Sequence, residues 1–301
     1  MPVGAPKRRG WSPVNDMNQP QNPGGAPRSK IFIEGRYKKL VRDLPQTVFH
    51  CPTCKGHPRR RRGCEQCEGF GKLTRDSVQE LVAWVIGKAF GTRKNKFHGS
   101  GREDMDVRML GTGRPFVLEL LNPKNFGLDL AELEAEVNRR NDGRLEVLGL
   151  HYSEKPRVVI LKEAKHAKRY EARVSVVGES GVEAAVAGLS ARIGERIDVV
   201  QRTPNRVAHR RADLDRKRWI EIEEVEAIDS EHLRLRMLTE HGTYVKEAIS
   251  GEDGRTEPSM SGMAGAALQC VELDVLGILG ETGEDEVEPA VFESPFGSGL
   301  E

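Results

Sequence analysis

Four cysteines lie in two closely spaced pairs. Cys51-Pro-Thr-Cys54 and Cys64-Glu-Gln-Cys67 both match a C-x-x-C pattern, and nine residues separate the two pairs. Four thiolates at this spacing can form a closed tetrahedral shell around zinc, and such a closed shell is structural because no position stays open for water. Two disulfides are the alternative, but a reducing compartment disfavours them. We therefore predict a structural zinc site with Cys51, Cys54, Cys64 and Cys67 as ligands.

Two aspartates lie in a glycine-flanked loop, Gly101-Arg-Glu-Asp104-Met-Asp106, which leads into a predicted strand. Arg102, Arg108 and Arg114 are close to them in sequence, and nearby positive charge favours the ionised form of a carboxylate. An ionised carboxylate can act as a covalent nucleophile. Acidic turns next to arginines also occur as ordinary salt-bridged loops, so the residues alone leave both interpretations open.

Basic residues are clustered, although the formal net charge of the chain is only +1. Residues 59–62 are an unbroken run of four arginines, and seven more Lys and Arg lie between positions 202 and 218. Residues 281–301, in contrast, contain seven acidic residues and no Lys or Arg. Basic clusters of this kind are typical of proteins that bind polyanions, and a solvated, charge-rich surface is the alternative.

The hydrophobic pattern argues against membrane and secreted classes. No apolar run approaches the roughly 18 residues that a membrane-spanning helix needs, and the mean hydropathy is -0.54. Lys7, Arg8 and Arg9 are not followed by a hydrophobic stretch, so the N-terminus does not match a secretory signal. We therefore expect a cytoplasmic protein with no membrane partner.

Alternating apolar and polar residues predict many strands and a few helices. Strands are expected at residues 116–121, 144–150, 157–161, 170–177, 197–202, 219–227, 232–238 and 269–276. Helices are expected after a capping box at Ser77 and Glu80, and at residues 129–140, 182–193 and 243–250. This order is typical of an α+β domain built on a largely antiparallel sheet.

Several separated motifs together resemble one family. Gly101-Arg-Glu-Asp104 resembles the G-R-x-D motif of pseudouridine synthases, and residues 101–116 are similar to its version in the tRNA pseudouridine synthases of the Pus10 family. Four further segments fit the same family, at residues 37–42, 168–172, 201–213 and 242–259. The resemblance spans about residues 31–280. It implies the largely antiparallel mixed sheet of a pseudouridine synthase catalytic domain, with a small zinc-binding N-terminal segment.

The resemblance implies a reaction and roles for individual residues. The reaction is isomerisation of T-loop uridine in tRNA, at position fifty-five and also fifty-four, without a cofactor or nucleotide. Asp104 would be the nucleophile, while Asp106 is the competing candidate from the residues alone. Arg102 would fill the space that the flipped uridine leaves, and Tyr170 would stack on the target base and assist deprotonation. Lys246 would pair with the catalytic carboxylate and keep it ionised.

A basic set around the segment 201–213 is expected to bind the substrate tRNA, together with Tyr170. Its members are Arg202, Arg206, His209, Arg210, Arg211 and Arg255. Contacts of this kind to phosphates position an RNA without reading its sequence. A charged surface helix is the alternative.

Four regions follow from these assignments. Residues 1–30 are rich in Pro, Gly, Asn and Gln and are expected to be a disordered arm; residues 281–301 are expected to be an acidic disordered tail. Between them lie a zinc-knuckle segment, 31–75, and a catalytic domain, 76–280. Members of the resembled family typically carry a longer N-terminal portion with a THUMP-containing domain. We hypothesise that the zinc segment, with its four arginines, takes over part of RNA docking.

Two other classes of protein stay open at this stage. One is a zinc-containing protein that binds tRNA without modifying it. The other is a chaperone, because the second knuckle, extended to Cys64-Glu-Gln-Cys67-Glu-Gly69-Phe-Gly71, matches a unit of the cysteine-rich region of J-domain proteins. Those regions need four such units, and only two C-x-x-C pairs are found here.

Overall fold

The computed structural model describes residues 29–178, 181–209 and 211–280. The predicted acidic tail and nearly all of the predicted N-terminal arm lie outside these ranges. The strands are β1 (Lys30–Lys39), β2 (Asn95–Gly99), β3 (Val107–Leu121), β4 (Leu145–Ser153), β5 (Lys168–Val177), β6 (Arg196–Arg202), β7 (Asp215–Ala227), β8 (His232–Thr239), β9 (Thr256–Glu257) and β10 (Ala267–Ile278). The helices are α1 (Val78–Ala89), α2 (Leu130–Arg140), α3 (Lys155–Glu163), α4 (Gly181–Ser190), α5 (Asn205–Ala208), α6 (Val245–Ser250) and α7 (Met260–Ala264).

The strands of the described ranges form one sheet in the order β4-β1-β3-β10-β5-β8-β7-β6-β9, with β2 also paired to β3. Neighbouring strands are antiparallel except β3 and β10, which run parallel from Leu273 opposite Val107 to Val275 opposite Met109. The carboxylate of the fully buried Asp274 on β10 accepts hydrogen bonds of 2.9 and 2.6 Å from Arg108 on β3. The predicted α+β fold with a largely antiparallel sheet is therefore confirmed.

The alternation of apolar and polar residues explains the strands that the sequence predicts well. In β8, Leu233, Leu235 and Met237 are fully buried, while the residues between them are partly exposed. Their period of two gives the strand one buried face. The apolar core that results runs continuously through the sheet and the helices that pack on it.

Local capping explains where the first helices begin. The side chain of Ser77 accepts a hydrogen bond from the backbone N–H of Glu80, so Ser77 is the N-cap that the sequence predicts, and its hydroxyl donates to the carboxylate of Glu80 at 2.8 Å. Asp129 caps α2 in the same way, by accepting from the N–H groups of Ala131 and Glu132. Among residues 29–178, 181–209 and 211–280, no helix has both the length and the apolar content needed to cross a membrane.

The prediction of a strand at residues 157–161 is wrong, because this stretch belongs to α3. The run of β-branched residues favours a strand, but Pro156 occupies the first turn of the helix, where its missing N–H costs nothing. Val159 and Ile160 are 52% and 53% exposed, and only Leu161 of this helix is buried. Helix α4 also ends three residues earlier than predicted, since residues 191–193 form a turn.

Candidate active site

The loop that carries both aspartates connects β2 to β3 and therefore enters the sheet beside the parallel β3–β10 pair. Gly101 opens the loop with a φ of +79°, in the left-handed region that favours glycine. A Cβ at this position would lie 3.0 Å from Nη1 of Arg114, so a side chain would also crowd the guanidinium beneath the loop. The glycine of the motif is thus needed for the path of the backbone.

A buried ion pair lies directly under the loop. Glu103 and Arg114 are joined at 2.8 Å, and each side chain is only 1% exposed. The hydroxyl of Tyr37 donates to Glu103 at 2.8 Å, and the side-chain amide of Gln46 donates to this hydroxyl at 2.9 Å and to the carbonyl of Gly101 at 3.0 Å. Burial and the charge of Glu103 raise the pKa of Tyr37 well above its usual value. The network fixes the backbone on both sides of Arg102.

Lys39 is a second support for the same loop. Its Nζ donates to the carbonyls of Asp104 and Met105 at 3.0 and 2.9 Å, and the residue is fully buried at the end of β1. Burial lowers the pKa of Lys39 to about 8, against the charges of Glu103 and Asp106, which raise it. Lys39 therefore holds the main chain at Asp104 and leaves the carboxylate free for other contacts.

The carboxylate of Asp104 pairs with Arg206. Nη1 of Arg206 donates to Oδ2 of Asp104 at 2.8 Å, and its Nε donates to Glu247 on α6 at 2.5 Å. The Asp104 and Arg206 side chains are 38% and 39% exposed, so the pair is reachable from solvent. Arg206 is one of the residues predicted to bind the substrate, and in the structure its guanidinium contacts the candidate nucleophile.

Lys246 pairs with the other aspartate. Its Nζ lies 2.6 Å from Oδ2 of Asp106, so the expectation that Lys246 pairs with Asp104 is wrong. Helix α6 brings Lys246 over the end of the loop, while Arg206 from α5 takes the position at Asp104. Burial raises the pKa of Asp106, but the hydrogen bond and charge of Lys246 outweigh burial and lower it below the usual value.

The three arginines close in sequence do not surround the two aspartates as expected. Arg108 is partly exposed and paired with the buried Asp274 on β10, and Arg114 is buried and paired with Glu103. Arg102 is exposed at the outside of the loop. Closeness in sequence is a poor guide here, since the two cations that contact the aspartate carboxylates, Arg206 and Lys246, lie 102 and 140 positions further along the chain.

Tyr170 lies on the central strand β5, between β8 and β10, and packs partly buried against the core. Burial raises the pKa of its hydroxyl to about 12; the charge of Arg114 opposes this effect, and the charges of Glu103 and Asp104 add to it. The structure thus brings Tyr170 and Asp104 within electrostatic reach of each other. The phenol keeps its proton at neutral pH.

Lys168 also lies at the candidate site, although the sequence did not indicate it individually as a site residue. A Cβ built on Gly101 would lie 3.8 Å from its Cε and 3.9 Å from its Nζ, which places the amine beside the start of the loop. Burial and the charge of Arg114 lower the pKa of Lys168 to about 8. The sequence indicates Lys168 only through its position two residues before Tyr170. Lys39 also lies two residues from a tyrosine, because it follows Tyr37 at that spacing.

The remaining predicted RNA contacts lie around the segment after β6. Arg202 and Arg255 both contact Asp213, at 2.6 and 3.0 Å. His209 and Arg211 are exposed on the same segment. Arg210 lies outside the described residues. The structure therefore brings Arg202 and Arg255 together at one carboxylate. Among the described members of this set, only Arg206 contacts Asp104.

The four cysteines form the predicted cluster. Their sulfur atoms all lie within 4.8 Å of one another, with 3.8 Å between Cys51 and Cys64 and 3.6 Å between Cys54 and Cys67. Tetrahedral zinc with bonds of about 2.3 Å requires neighbouring sulfurs about 3.8 Å apart. All four residues are buried, and the backbone N–H of Gly71 donates to Cys67. The donor set is therefore positioned to hold one metal ion.

Comparison with known proteins agrees with the resemblance seen in the motifs. The family model described as "Pus10, C-terminal" matches residues 32–278. The tRNA pseudouridine synthase Pus10 of Methanothermobacter marburgensis is 47% identical over 249 residues, 82% of this chain and 60% of that protein. The proteins of the same name from Methanopyrus kandleri and Methanocaldococcus jannaschii are 42% and 43% identical, over 84% and 82% of this chain.

This chain covers only part of the length of each of these relatives. This chain spans 60%, 57% and 53% of the lengths of the three relatives, in the order given. Among solved structures, the crystal structure of a Cbf5-Nop10-Gar1 complex matches 67% of this chain and 45% of its own chain, at 18% identity and a TM-score of 0.39. The match of the family model over nearly all described residues, together with relatives above 40% identity, shows that the chain belongs to the Pus10 C-terminal family.

Proposed function

We propose that the chain isomerises uridine to pseudouridine in tRNA, with Asp104 as the nucleophile. The observation that carries the proposal is the setting of this carboxylate: it is solvent-accessible, paired with Arg206 and within electrostatic reach of Tyr170, on a loop held from below by buried charges. The relatives that share the family are named as tRNA pseudouridine synthases.

The proposed reaction conserves all atoms. The Asp104 carboxylate attacks the ribose C1′, or C6 of the base, while the N1–C1′ bond breaks. The uracil then turns, and its C5 bonds to C1′ as the bond to Asp104 is released. A proton leaves C5, and N1 gains one, so that neither oxidant nor energy donor is consumed.

The contacts suggest a division of roles around Asp104. Arg206 orients the Asp104 carboxylate, because a charge-assisted hydrogen bond fixes the position of the oxygen that accepts it. A hydroxyl with a pKa of about 12 is a poor proton acceptor at neutral pH, so we assign Tyr170 to stacking on the base. Arg102, exposed on the loop, would occupy the space of the flipped uridine. The ammonium group of Lys246 neutralises the carboxylate of Asp106, so the two aspartates would have different functions.

We further propose that the targets are T-loop uridines, at position fifty-five and also fifty-four. Arg202, His209, Arg210, Arg211 and Arg255 would contact the phosphates of the T-arm, which position RNA rather than select its sequence. Zinc would be held by the four cysteines in a purely structural role, and catalysis would need no cofactor. Residues 76–280 would form the catalytic domain, joined in its sheet by β1 from the preceding segment.

The decisive experiment compares wild-type protein with the Asp104→Asn and Asp106→Asn variants on an unmodified tRNA transcript. Pseudouridine is mapped by carbodiimide adducts and primer extension, and tRNA affinity is measured in parallel. We expect Asp104→Asn to abolish product while affinity is kept, and Asp106→Asn to retain product. Product formation by Asp104→Asn would refute the mechanism. Binding without any product in the wild type would favour a zinc-containing protein that only binds tRNA.

A further inference from the structure

The residues after the last described strand leave the sheet at one defined point. Ile278, the final residue of β10, lies opposite Lys168 at the start of β5, and the backbone N–H of Leu279 donates to the carbonyl of Ala167 at 2.9 Å. The last described residue is Gly280. The acidic tail, residues 281–301, lies outside the described ranges, and these contacts set its starting point at the edge of the sheet where β5 begins.

Cationic side chains lie together at the same edge of the sheet. The set, here named the exit cluster, consists of Lys165, Lys168, Arg218 and His241. Strand pairing brings its members together, since Lys168 lies opposite Thr239 on β8, and the backbone N–H of Glu240 donates to the carbonyl of Trp219, next to Arg218, at 3.0 Å. Burial lowers the pKa of His241, and the charges of Arg218, Lys165 and Lys168 lower it further against the opposing charge of Glu240. The three cations therefore lie within electrostatic reach of this imidazole.

The two lysines of the exit cluster have no counter-charge in the described parts of the chain. Among residues 29–178, 181–209 and 211–280, no carboxylate lies within salt-bridge distance of Lys165 or Lys168. Lys165 is exposed and Lys168 is partly exposed. Arg218 reaches Glu240 only at 3.9 Å. The exit cluster thus carries positive charge that an anionic group from outside these ranges can neutralise.

The acidic tail carries the complementary charge. Residues 281–301 contain seven acidic residues and no Lys or Arg, and five of the seven fall within residues 281–288. An extended chain spans at most about 3.6 Å per residue, so these five carboxylates lie no further than roughly 29 Å from Gly280. A flexible tether of this length gives an effective concentration of about millimolar at a neighbouring site. The exit cluster lies where this tether begins.

We propose that residues 281–288 bind to the exit cluster of the same chain and compete there with RNA phosphates. The amine of Lys168 lies beside Gly101, at the start of the loop that carries Asp104, so carboxylates bound to this lysine would lie at the approach to the candidate nucleophile. A substrate RNA displaces them, whereas a weakly bound polyanion does not. The binding of the tail stands without the proposed function, and the competition with RNA rests on it.

Two other occupants of the exit cluster would have the right charge. RNA phosphates alone would leave the tail unbound, and the tail of a second copy would bridge two chains. The intramolecular contact is favoured because the tail starts at the cluster itself, so its effective concentration exceeds that of free protein chains. Arg202 and Arg255 offer less to the tail, since both already pair with Asp213.

The first test is zero-length cross-linking of the full-length protein with a carbodiimide in the absence of RNA. This reagent joins only a carboxylate and an amine that are in contact. We expect tandem mass spectra to show cross-links from residues 281–288 to Lys165 and Lys168. We expect none to Lys94, an exposed lysine just before β2 and so at the opposite end of that strand from Gly101. The yield should fall sharply at about 1 M NaCl, where the Debye length is about 3 Å.

The second test measures affinity for unmodified tRNA transcript by fluorescence anisotropy. The tail variant is Glu284→Gln/Asp285→Asn/Glu286→Gln/Glu288→Gln. Its control removes the same number of negative charges at exposed positions of the fold and is Glu132→Gln/Asp142→Asn/Glu154→Gln/Glu231→Gln. We expect the tail variant to bind about 3- to 10-fold more tightly than the control at low salt, because it lacks a tethered competitor at about millimolar effective concentration. The gain should disappear in a Lys165→Gln/Lys168→Gln background.

The outcomes separate the possible occupants of the exit cluster. Cross-links of the tail to Lys94 as frequent as those to Lys165 and Lys168, or to no lysine, would overturn the proposal. Cross-links between isotope-labelled and unlabelled chains in a mixture would assign the cluster to a second copy instead. Equal tRNA affinity of the tail variant and its control would overturn the competition and leave RNA phosphates as the occupant.

Failure of the tail contact and failure of the proposed function give different results. If the tail cross-links to Lys165 and Lys168 within one chain but the wild type forms no pseudouridine, the tail contact is supported and the proposed activity fails. If the wild type forms pseudouridine and the tail gives no cross-link to these lysines, the proposed activity stands and the tail contact is overturned.

Discussion

Arg206 donates a hydrogen bond of 2.8 Å to Asp104, although 102 positions separate the two residues in the chain. The same guanidinium holds Glu247, which is 5% exposed, so one arginine connects the loop that carries Asp104 to both α5 and α6. The geometry of the candidate nucleophile therefore depends on a segment that the sequence predicts to bind tRNA.

Replacing Arg206 by alanine should slow catalysis rather than weaken binding. A hydrogen bond to a charged group contributes about 1.5 to 3 kcal/mol, so we expect the single-turnover rate at saturating tRNA to fall by about 10- to 100-fold. Arg206→Lys should recover part of the loss. Arg202→Ala, which removes an exposed arginine paired with Asp213, is the control and should leave this rate unchanged. An unchanged rate in Arg206→Ala would show that the pair is dispensable.

Breaking the buried ion pair beneath the loop should destabilise the whole domain. Glu103→Gln leaves the charge of Arg114 buried without its partner, which costs about 3 to 5 kcal/mol. Glu136→Gln is the matched control, because its partners Arg139 and Arg140 are exposed, and such pairs contribute at most about 1 kcal/mol. Urea unfolding followed by tryptophan fluorescence measures both. Equal effects of the two substitutions would contradict the structural importance of the buried pair.

Lys168 should make stability depend on pH. Burial lowers its pKa to about 8 from an ordinary value of 10.5, so between these two pH values the unfolded chain binds more protons than the folded one. Stability therefore rises with pH across this window, and below pH 8 the charged amine exerts its full penalty. We expect Lys168→Met to be more stable than wild type at pH 7, by up to about 3 kcal/mol.

The stability difference between Lys168→Met and wild type should shrink as pH approaches 10.5, when measured by urea unfolding at several pH values. Lys94→Met, at an exposed position, is the control, and its difference from wild type should not change with pH. A difference for Lys168→Met that stays constant from pH 7 to 10 would mean that the amine is well solvated in the folded protein.

Loss of the metal should unfold residues 48–75, the segment that carries the four cysteines, and spare the sheet. The four cysteines form a buried cluster separate from the main core, so few other contacts hold residues 48–75. We expect one zinc per chain by plasma mass spectrometry, and none after Cys54→Ser/Cys67→Ser. Hydrogen exchange should accelerate across the segment while β5 and β8 stay protected. Unchanged exchange in the segment of the metal-free variant would show that metal is not what holds it.

The sequence predicts an element well where its residues follow a local period. Strand β8 alternates cleanly and was found. Strand β1 was not predicted, because its polar residues Glu34 and Lys39 are buried at 7% and 0% exposure and so break the alternation. The opposite error occurred at α3, where the run of β-branched residues predicted a strand. This stretch lies outside the sheet, and the position of Pro156 in the first turn favours the helix over the β propensity of the run.

The residues of the candidate site also differ in how well the sequence predicts them. The cysteine cluster is local, because four ligands within seventeen residues leave few possible geometries, and its arrangement was predicted from spacing alone. Asp104 is proposed as the nucleophile because of its place in a motif. The cations around the two aspartates were assigned less well: Arg206 and Lys39 reach the loop through long-range packing, and no local pattern indicates that packing.

Strand β10 is the last strand within residues 29–280, yet it lies between β3 and β5 in the middle of the sheet. During synthesis on a ribosome, the strands up to β9 can emerge while the inner edges of β3 and β5 still lack their partner. The nucleophile loop at the start of β3 and the tyrosine on β5 are brought to their final distance only when residues 267–278 insert. Nascent chains that stop short of this strand would therefore expose two unpaired edges, which are prone to aggregate, and would be inactive.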